Sequence, residues 1–181
     1  MPVATSRVLT IVSNYGVEQD ELVVPVGRLR DAGATVTVAA VKDEPVRTLV
    51  GDKDPGDVVT PDATLGDVDA ADFDLLVIPG GTLNADQLRL DDDALALVDA
   101  FATAGKPVAA ICHGPWLLAT ADKVRERSMT SYASLQTDLR NAGATWSDEP
   151  VVVDEGAFTL ITSRDPDDLD DFVGAITTTL G

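Results

Sequence analysis

The sequence predicts an α/β fold, a flavodoxin-like three-layer sandwich with a mainly parallel central sheet and a cysteine nucleophile elbow. Three observations carry this. Continuous apolar runs of strand length alternate with helical patterns, the first two runs flank a helix in β-α-β order, and one run ends in a sharp turn that opens a helix. The 181 residues are 45% hydrophobic, enough for one core and one domain over residues 1–181. Aromatics make up only 4%, so that core must be aliphatic.

Residues 7–13 (RVLTIVS) form a nearly unbroken apolar run that reads as a buried parallel strand and ends in a turn at Asn14-Tyr15-Gly16. Leu22, Val26 and Leu29 then recur at helical spacing up to a stop at Ala32-Gly33. Residues 35–40 (TVTVAA) are the second strand. Between 41 and 71 the pattern weakens, and short β-like pieces at 46–50 and 58–60 around Gly51-Asp52-Lys53-Asp54-Pro55-Gly56 suggest a small hairpin. Residues 75–78 (LLVI) are a third buried strand, stopping at Pro79-Gly80-Gly81. A short helix is expected over 84–88 and an amphipathic one, with an acidic first turn, over 91–104. After the strand–turn–helix at 108–118 come a short strand at 129–132 and a helix at 135–142. Two strands at 151–153 and 158–162 lead to a C-terminal helix over 166–180, capped by Asp165. Sites in such a sheet lie at the carboxyl ends of its strands.

The stretch 108–118 (VAAICHGPWLL) holds the only cysteine and the only histidine, side by side in the turn. Pro115 suits a first helical position, where its missing N–H costs nothing. Backbone N–H groups and the positive end of a helix dipole at this corner favour a thiolate on Cys112. The alternative is a small buried hydrophobe beside a hydrogen-bonded bystander. Since Cys112 ends the strand rather than lying inside it, the nucleophilic reading is preferred.

Two further strand ends should meet this corner. At Gly80-Gly81 a backbone free of side chains lets the N–H of Gly81, with that of His113, form an oxyanion hole; an ordinary glycine turn is the alternative. Glu21 opens an otherwise apolar helix, and in a partly apolar pocket its carboxyl stays protonated and donates to the sulfur. A solvated first-turn acid is the other reading for Glu21, and it fits Glu18 better.

Asp and Glu outnumber Lys and Arg by 31 to 13, a formal charge of −18. The acids are spread along the chain, as on the surface of a protein from an extreme halophile. Such a surface repels nucleic acid and anionic membranes. One His and one Cys argue against a zinc cluster, and no GxGxxG or GxxxxGK[ST] supports a nucleotide site, so no metal and no cofactor are expected. A glutaminase-type triad needs a histidine distant from the cysteine, which the chain lacks. With no signal segment, no membrane-length apolar run and a free thiol, a cytoplasmic location is expected.

The chain resembles the PfpI family, within the wider superfamily of the parkinsonism-associated protein deglycase and the class I glutaminases. The matching stretches are RVLTIVS with Glu18 and Glu21 before Pro25, FDLLVIPGG, GKPVAAICHGPWLL, MTSY, LRNAGATWSDEPVVVD and TSRDPDDL. The resemblance implies that Cys112 is the nucleophile, that Glu21 hydrogen-bonds its sulfur, and that Gly81 and His113 are the oxyanion donors. It implies a Cys-His-acid triad completed from a neighbouring subunit, with Asp86 as the acid when the alignment is anchored on Leu88-Arg89. It places Glu18, Tyr132 and Arg164 around the substrate pocket. The implied function is a cysteine-dependent enzyme acting on small reactive carbonyls or glycated proteins and peptides, of glutathione-independent glyoxalase or deglycase type. An intracellular peptidase and a redox-sensing stress chaperone are the alternatives, and the implied assembly is a homo-oligomer, dimer or hexamer.

The charge generates a first prediction. Melting temperature should rise from low salt to several molar KCl as self-repulsion is screened; an unchanged value would contradict the halophilic reading.

Overall fold

The computed structural model describes residues 3–181. In chain order its elements are β1 (Arg7–Val12), β2 (Tyr15–Glu18), α1 (Gln19–Asp31), β3 (Thr35–Ala40), β4 (Val46–Val50), β5 (Asp54–Val59), β6 (Ala63–Thr64), β7 (Leu75–Ile78), α2 (Thr82–Leu88), α3 (Asp92–Thr103), β8 (Val108–Ile111), α4 (Pro115–Thr120), β9 (Ser128–Met129), α5 (Gln136–Asn141), β10 (Thr145–Trp146), β11 (Val151–Glu155), β12 (Thr159–Ser163) and α6 (Leu169–Leu180). Seven strands form the central sheet in the order β11-β12-β8-β7-β1-β3-β6. All neighbours run parallel except β11 against β12. The expected α/β architecture is the one the chain adopts.

Alternation along the buried strands feeds two cores, one on each face. Leu9 and Ile11 of β1 and Leu76 and Ile78 of β7 face a core completed by α3, α4 and α5. Val8 and Val12 of β1 and Leu75 and Val77 of β7 face the other, completed by α1 and α6. Each core holds one fully buried phenylalanine, Phe101 on α3 and Phe172 on α6, and the rest is chiefly aliphatic.

From β1 the chain moves to β3 on one side and later returns to β7 on the other. That reversal opens a crevice at the carboxyl ends of β1 and β7. The Gly80-Gly81 corner follows β7, and Cys112 follows β8 beside it.

The structure departs from the sequence expectations at specific places. The turn expected at Asn14-Tyr15-Gly16 is shorter, and β2 follows it at once, pairing with β4 in a separate three-stranded sheet β2-β4-β5. The expected hairpin is present, but its second strand begins at Asp54, inside the segment read as loop. The strand expected at 129–132 is only Ser128–Met129. Beyond it Thr130 N donates to Thr162 Oγ1 and Tyr132 N to Cys112 O, so side-chain and corner partners replace a ladder. The C-terminal helix starts at Leu169, preceded by a 3₁₀ turn at Pro166–Asp168 that Asp165 caps through Asp167 N.

Two glycines let β2 lie against the start of α2. Gly16 has φ +92°, and a Cβ there would fall 2.5 Å from Leu83 Cβ. Gly81 has φ +85°, and a Cβ there would meet Gly16 O and Glu18 N. Gly16→Ala should therefore cost about 3 kcal/mol, combining left-handed strain with overpacking. Urea unfolding in molar KCl checks this; an unmoved midpoint would mean that β2 does not depend on this close approach.

Candidate active site

The crevice is assembled around a corner with no side chain of its own. Asn84, fully buried on α2, accepts from Ser13 N at 2.7 Å and donates to Pro79 O at 3.1 Å and Gly80 O at 2.9 Å. It thereby ties the end of β1 to the end of β7. Gly80 N in turn donates to Glu21 Oε2 at 2.7 Å. A Cβ at Gly80 would lie 2.5 Å from that oxygen, 2.7 Å from Cys112 Cβ and 2.8 Å from His113 N, so only glycine fits.

Glu21 is fully buried. Its carboxyl interacts with Cys112, and its Oε1 has no hydrogen-bond partner among the described residues. Burial pushes this carboxyl up to about 8, against the opposing pull of its contacts with Cys112 and Gly80. It is therefore protonated at neutral pH, with a hydrogen to offer the sulfur.

Cys112 has φ +60°, a left-handed conformation that a non-glycine residue rarely adopts. The conformation is held from both sides: Cys112 N donates to Ser163 O at 3.0 Å, Cys112 O accepts from Tyr132 N at 3.0 Å, and Gly114 N closes the turn on Ile111 O at 2.9 Å. The side chain is thus directed toward Glu21 and the glycine corner. Burial raises the thiol, and an ionised Glu21 would raise it further, while the N–H of Gly81 pulls the other way. This corrects the expectation that the corner by itself favours a thiolate. At 5% exposure, desolvation outweighs one N–H, and the helix that follows is only six residues long. The sulfur needs a base to ionise.

That base is adjacent. His113 Nδ1 lies 3.1 Å from Cys112 Sγ. The ring stacks on Tyr132 at 4.8 Å between centroids and meets the edge of Trp116 at 5.3 Å. Burial lowers its pKa, so the imidazole is neutral at pH 7. Its far nitrogen, Nε2, lies 3.3 Å from Thr82 Oγ1 and 3.4 Å from Ser134 Oγ. Thr82 leads to an acid: its hydroxyl donates to Asp52 Oδ2 at 2.8 Å and its backbone N to Asp52 Oδ1 at 2.9 Å.

The expected residues fall as follows. Glu21, Gly81, Cys112 and His113 converge, and Tyr132 forms a half-exposed wall of the cleft. Glu18 is not a solvated acid: it is 8% exposed, and its two oxygens accept from Gly51 N and Asp52 N at the tip of the β4–β5 hairpin. Arg164 follows Ser163 at the end of β12, with its guanidinium held by Asp168 and Asp148. Asp86 points to solvent on α2 and makes no contact with His113 within the chain. Sequence reading missed Thr82, Ser134 and Asp52, the last seen only as part of a hairpin. Among the described residues no cluster of His, Cys, Asp and Glu is arranged to hold a metal ion, and no helix is long and apolar enough to cross a membrane.

Comparison with known proteins gives this geometry a lineage. Residues 6–179 match the model of the DJ-1/PfpI family. The chain belongs to the DJ-1/PfpI family. Among its relatives is general stress protein 18 of Bacillus subtilis, 42% identical over 91% of this chain and 92% of that one. "Putative cysteine protease YraA" of the same organism is 39% identical, and protein/nucleic acid deglycase 2 of Escherichia coli 38%, each over 92% of this chain and 94% of the relative. The crystal structure of Drosophila melanogaster DJ-1beta superposes with a TM-score of 0.86 at 31% identity, covering 97% of this chain and 90% of that one. The Escherichia coli name runs against the charge-based expectation that nucleic acid is excluded as a partner.

Glu21 links the site to stability. Its folded-state pKa, about 8, lies above the ordinary carboxyl value of 4.5. The unfolded chain therefore releases this proton first, and native stability falls as pH rises between those values. The loss is on the order of 5 kcal/mol across that window. Glu21→Gln should gain stability relative to the wild type as pH rises from 5 to 8, read from urea midpoints at fixed KCl. Parallel curves would mean that Glu21 is already ionised in the native state.

Proposed function

We propose that this chain is a cysteine-dependent enzyme acting on small reactive carbonyls, of glyoxalase or deglycase type. The observation that carries the reading is the joint placement of Cys112 against a protonated Glu21 and a neutral His113. Such a site stores a latent thiolate with a base on one side and a proton donor on the other. Names among the relatives, a deglycase and a stress protein, support the same direction.

For a 2-oxoaldehyde the chemistry balances without a cofactor. His113 Nδ1 takes the thiol proton, and Cys112 Sγ bonds to the aldehyde carbon, giving a hemithioacetal. The N–H groups of Gly81 and His113 are suited to the oxygen that becomes negative. The imidazolium returns that proton to this oxygen; His113, neutral again, removes the hydrogen from the former aldehyde carbon, and the enediol formed is reprotonated on the neighbouring carbon. The product is a thioester of a 2-hydroxy acid. Water cleaves it, releasing the acid and restoring the thiol. Net, the aldehyde carbon is oxidised, the ketone carbon is reduced, and one water is consumed.

The peptidase alternative has the name of YraA behind it. Against it, Cys112 and His113 are each only 5% exposed, which suits a compact carbonyl better than an extended peptide. Subunit completion of the site by Asp86 would require its solvent face of α2 to meet a second copy, and a homo-oligomer remains part of the proposal.

The test is 2-hydroxy acid formation from methylglyoxal without glutathione, in multimolar KCl. Cys112→Ala should abolish turnover, and Glu21→Gln should reduce it by about a hundredfold. Absence of turnover in the wild type, with Cys112 still open to alkylation, would overturn the carbonyl reading. A protein that suppresses client aggregation equally well with Cys112→Ala would be acting as a chaperone instead.

A further inference from the structure

We propose that Asp52, acting through Thr82, sets the tautomer of His113 so that its unprotonated nitrogen faces Cys112. The inference rests on the reading of Cys112 as the nucleophile, and it adds a relay within the chain to whatever acid a second copy supplies.

The argument is a count of hydrogens. A carboxylate only accepts. Asp52 Oδ1 takes the backbone N–H of Thr82 and Oδ2 takes its hydroxyl hydrogen, at 2.9 and 2.8 Å. Thr82 Oγ1 has then spent its one hydrogen and has only lone pairs to offer Nε2 of His113, 3.3 Å away. Nε2 must therefore carry the ring hydrogen. In a neutral imidazole this leaves Nδ1 bare, 3.1 Å from Cys112 Sγ and ready to take the thiol proton. Ser134 Oγ, 3.4 Å from Nε2, can accept the same hydrogen and does not oppose the assignment.

Asp52 is built into this position. Gly51 and Asp52 both have positive φ, 63° and 56°, and Lys53 N closes on Val50 O, a tight turn within the three residues that separate the paired Val50 and Asp54. The buried carboxylate of Glu18 accepts from both turn N–H groups at 3.0 and 2.9 Å. Glu18 is thus a positioning residue for Asp52, and Asp52 for His113.

The relay predicts an inversion. In Asp52→Asn the amide oxygen must face Thr82 N, which places the NH₂ group against Thr82 Oγ1. Thr82 then accepts from Asn and turns its own hydrogen toward Nε2, driving the ring hydrogen to Nδ1. A base facing the thiol becomes a donor facing it.

Because His113 is the only histidine, long-range ¹H–¹⁵N correlation spectra read its tautomer without ambiguity. The wild type near neutral pH should show the Nε2–H form. Asp52→Asn and Thr82→Val should move it toward Nδ1–H, and Thr82→Ser should restore it. Iodoacetamide alkylation of Cys112 should slow by about a hundredfold in Asp52→Asn and stay near wild type in Thr82→Ser. A wild-type Nδ1–H form, or a tautomer unmoved by both Asp52→Asn and Thr82→Val, overturns the proposal. Neither measurement uses a substrate, so both stand apart from success or failure of methylglyoxal turnover.

Discussion

The burial of Glu21 is the constraint on which the rest of the site depends. A carboxyl placed fully inside the fold must keep its proton or find a cation, and among the described residues that perturb it there is no cation. It keeps the proton. One oxygen fixes the Gly80 N–H and so the corner after β7, and the carboxyl also meets Cys112. Everything nearby is arranged to permit this. Gly80 has no Cβ, Asn84 holds the corner from behind, and Cys112 adopts a left-handed backbone to bring its side chain inward. The arrangement costs stability as the pH rises, and it yields a thiol poised between a donor and a base.

Much of this was legible in the sequence, because the signals were local. LLVI and VAAI are strands whose two faces are both buried, so they read as unbroken apolar runs; the limits of the first, Leu75–Ile78, are those of the structure, and the second ends at Ile111, one residue before the Cys112 expected to end it. Cys112, His113 and the paired glycines announced a corner by composition. Glu21 stood out as an acid at the head of an apolar helix face. The hidden part is non-local. β2 has four residues, including a glycine, and exists because β4 and α2 offer it partners. Glu18 and Glu21 are three residues apart on paper and look alike. One faces a hairpin tip and the other the sulfur, a distinction made by the strands around them. Asp52 and Thr82 are thirty residues apart and neither carries a motif, so nothing in a linear reading joins them to His113.

The acidic surface and the site are physically separate problems. The ion pairs of Arg28, Arg30 and Arg125 with Asp residues are largely exposed and weak individually. Arg127 is different: it is 11% exposed, ties Asp154 and the carbonyl of Phe158 together, and lies over the Phe158 ring. It clamps the β11–β12 turn, at the opposite end of β12 from Ser163, whose O receives the Cys112 N–H.

The β4–β5 hairpin stands outside the central sheet, and its tip is exposed. A group that governs the imidazole is therefore carried on a hairpin whose tip, residues 51–53, lies outside both cores. Changes at residues 51–53 can retune the acidity and reactivity of the sulfur while leaving the packed layers untouched. In such a design, reactivity and folding are free to evolve along different parts of the chain.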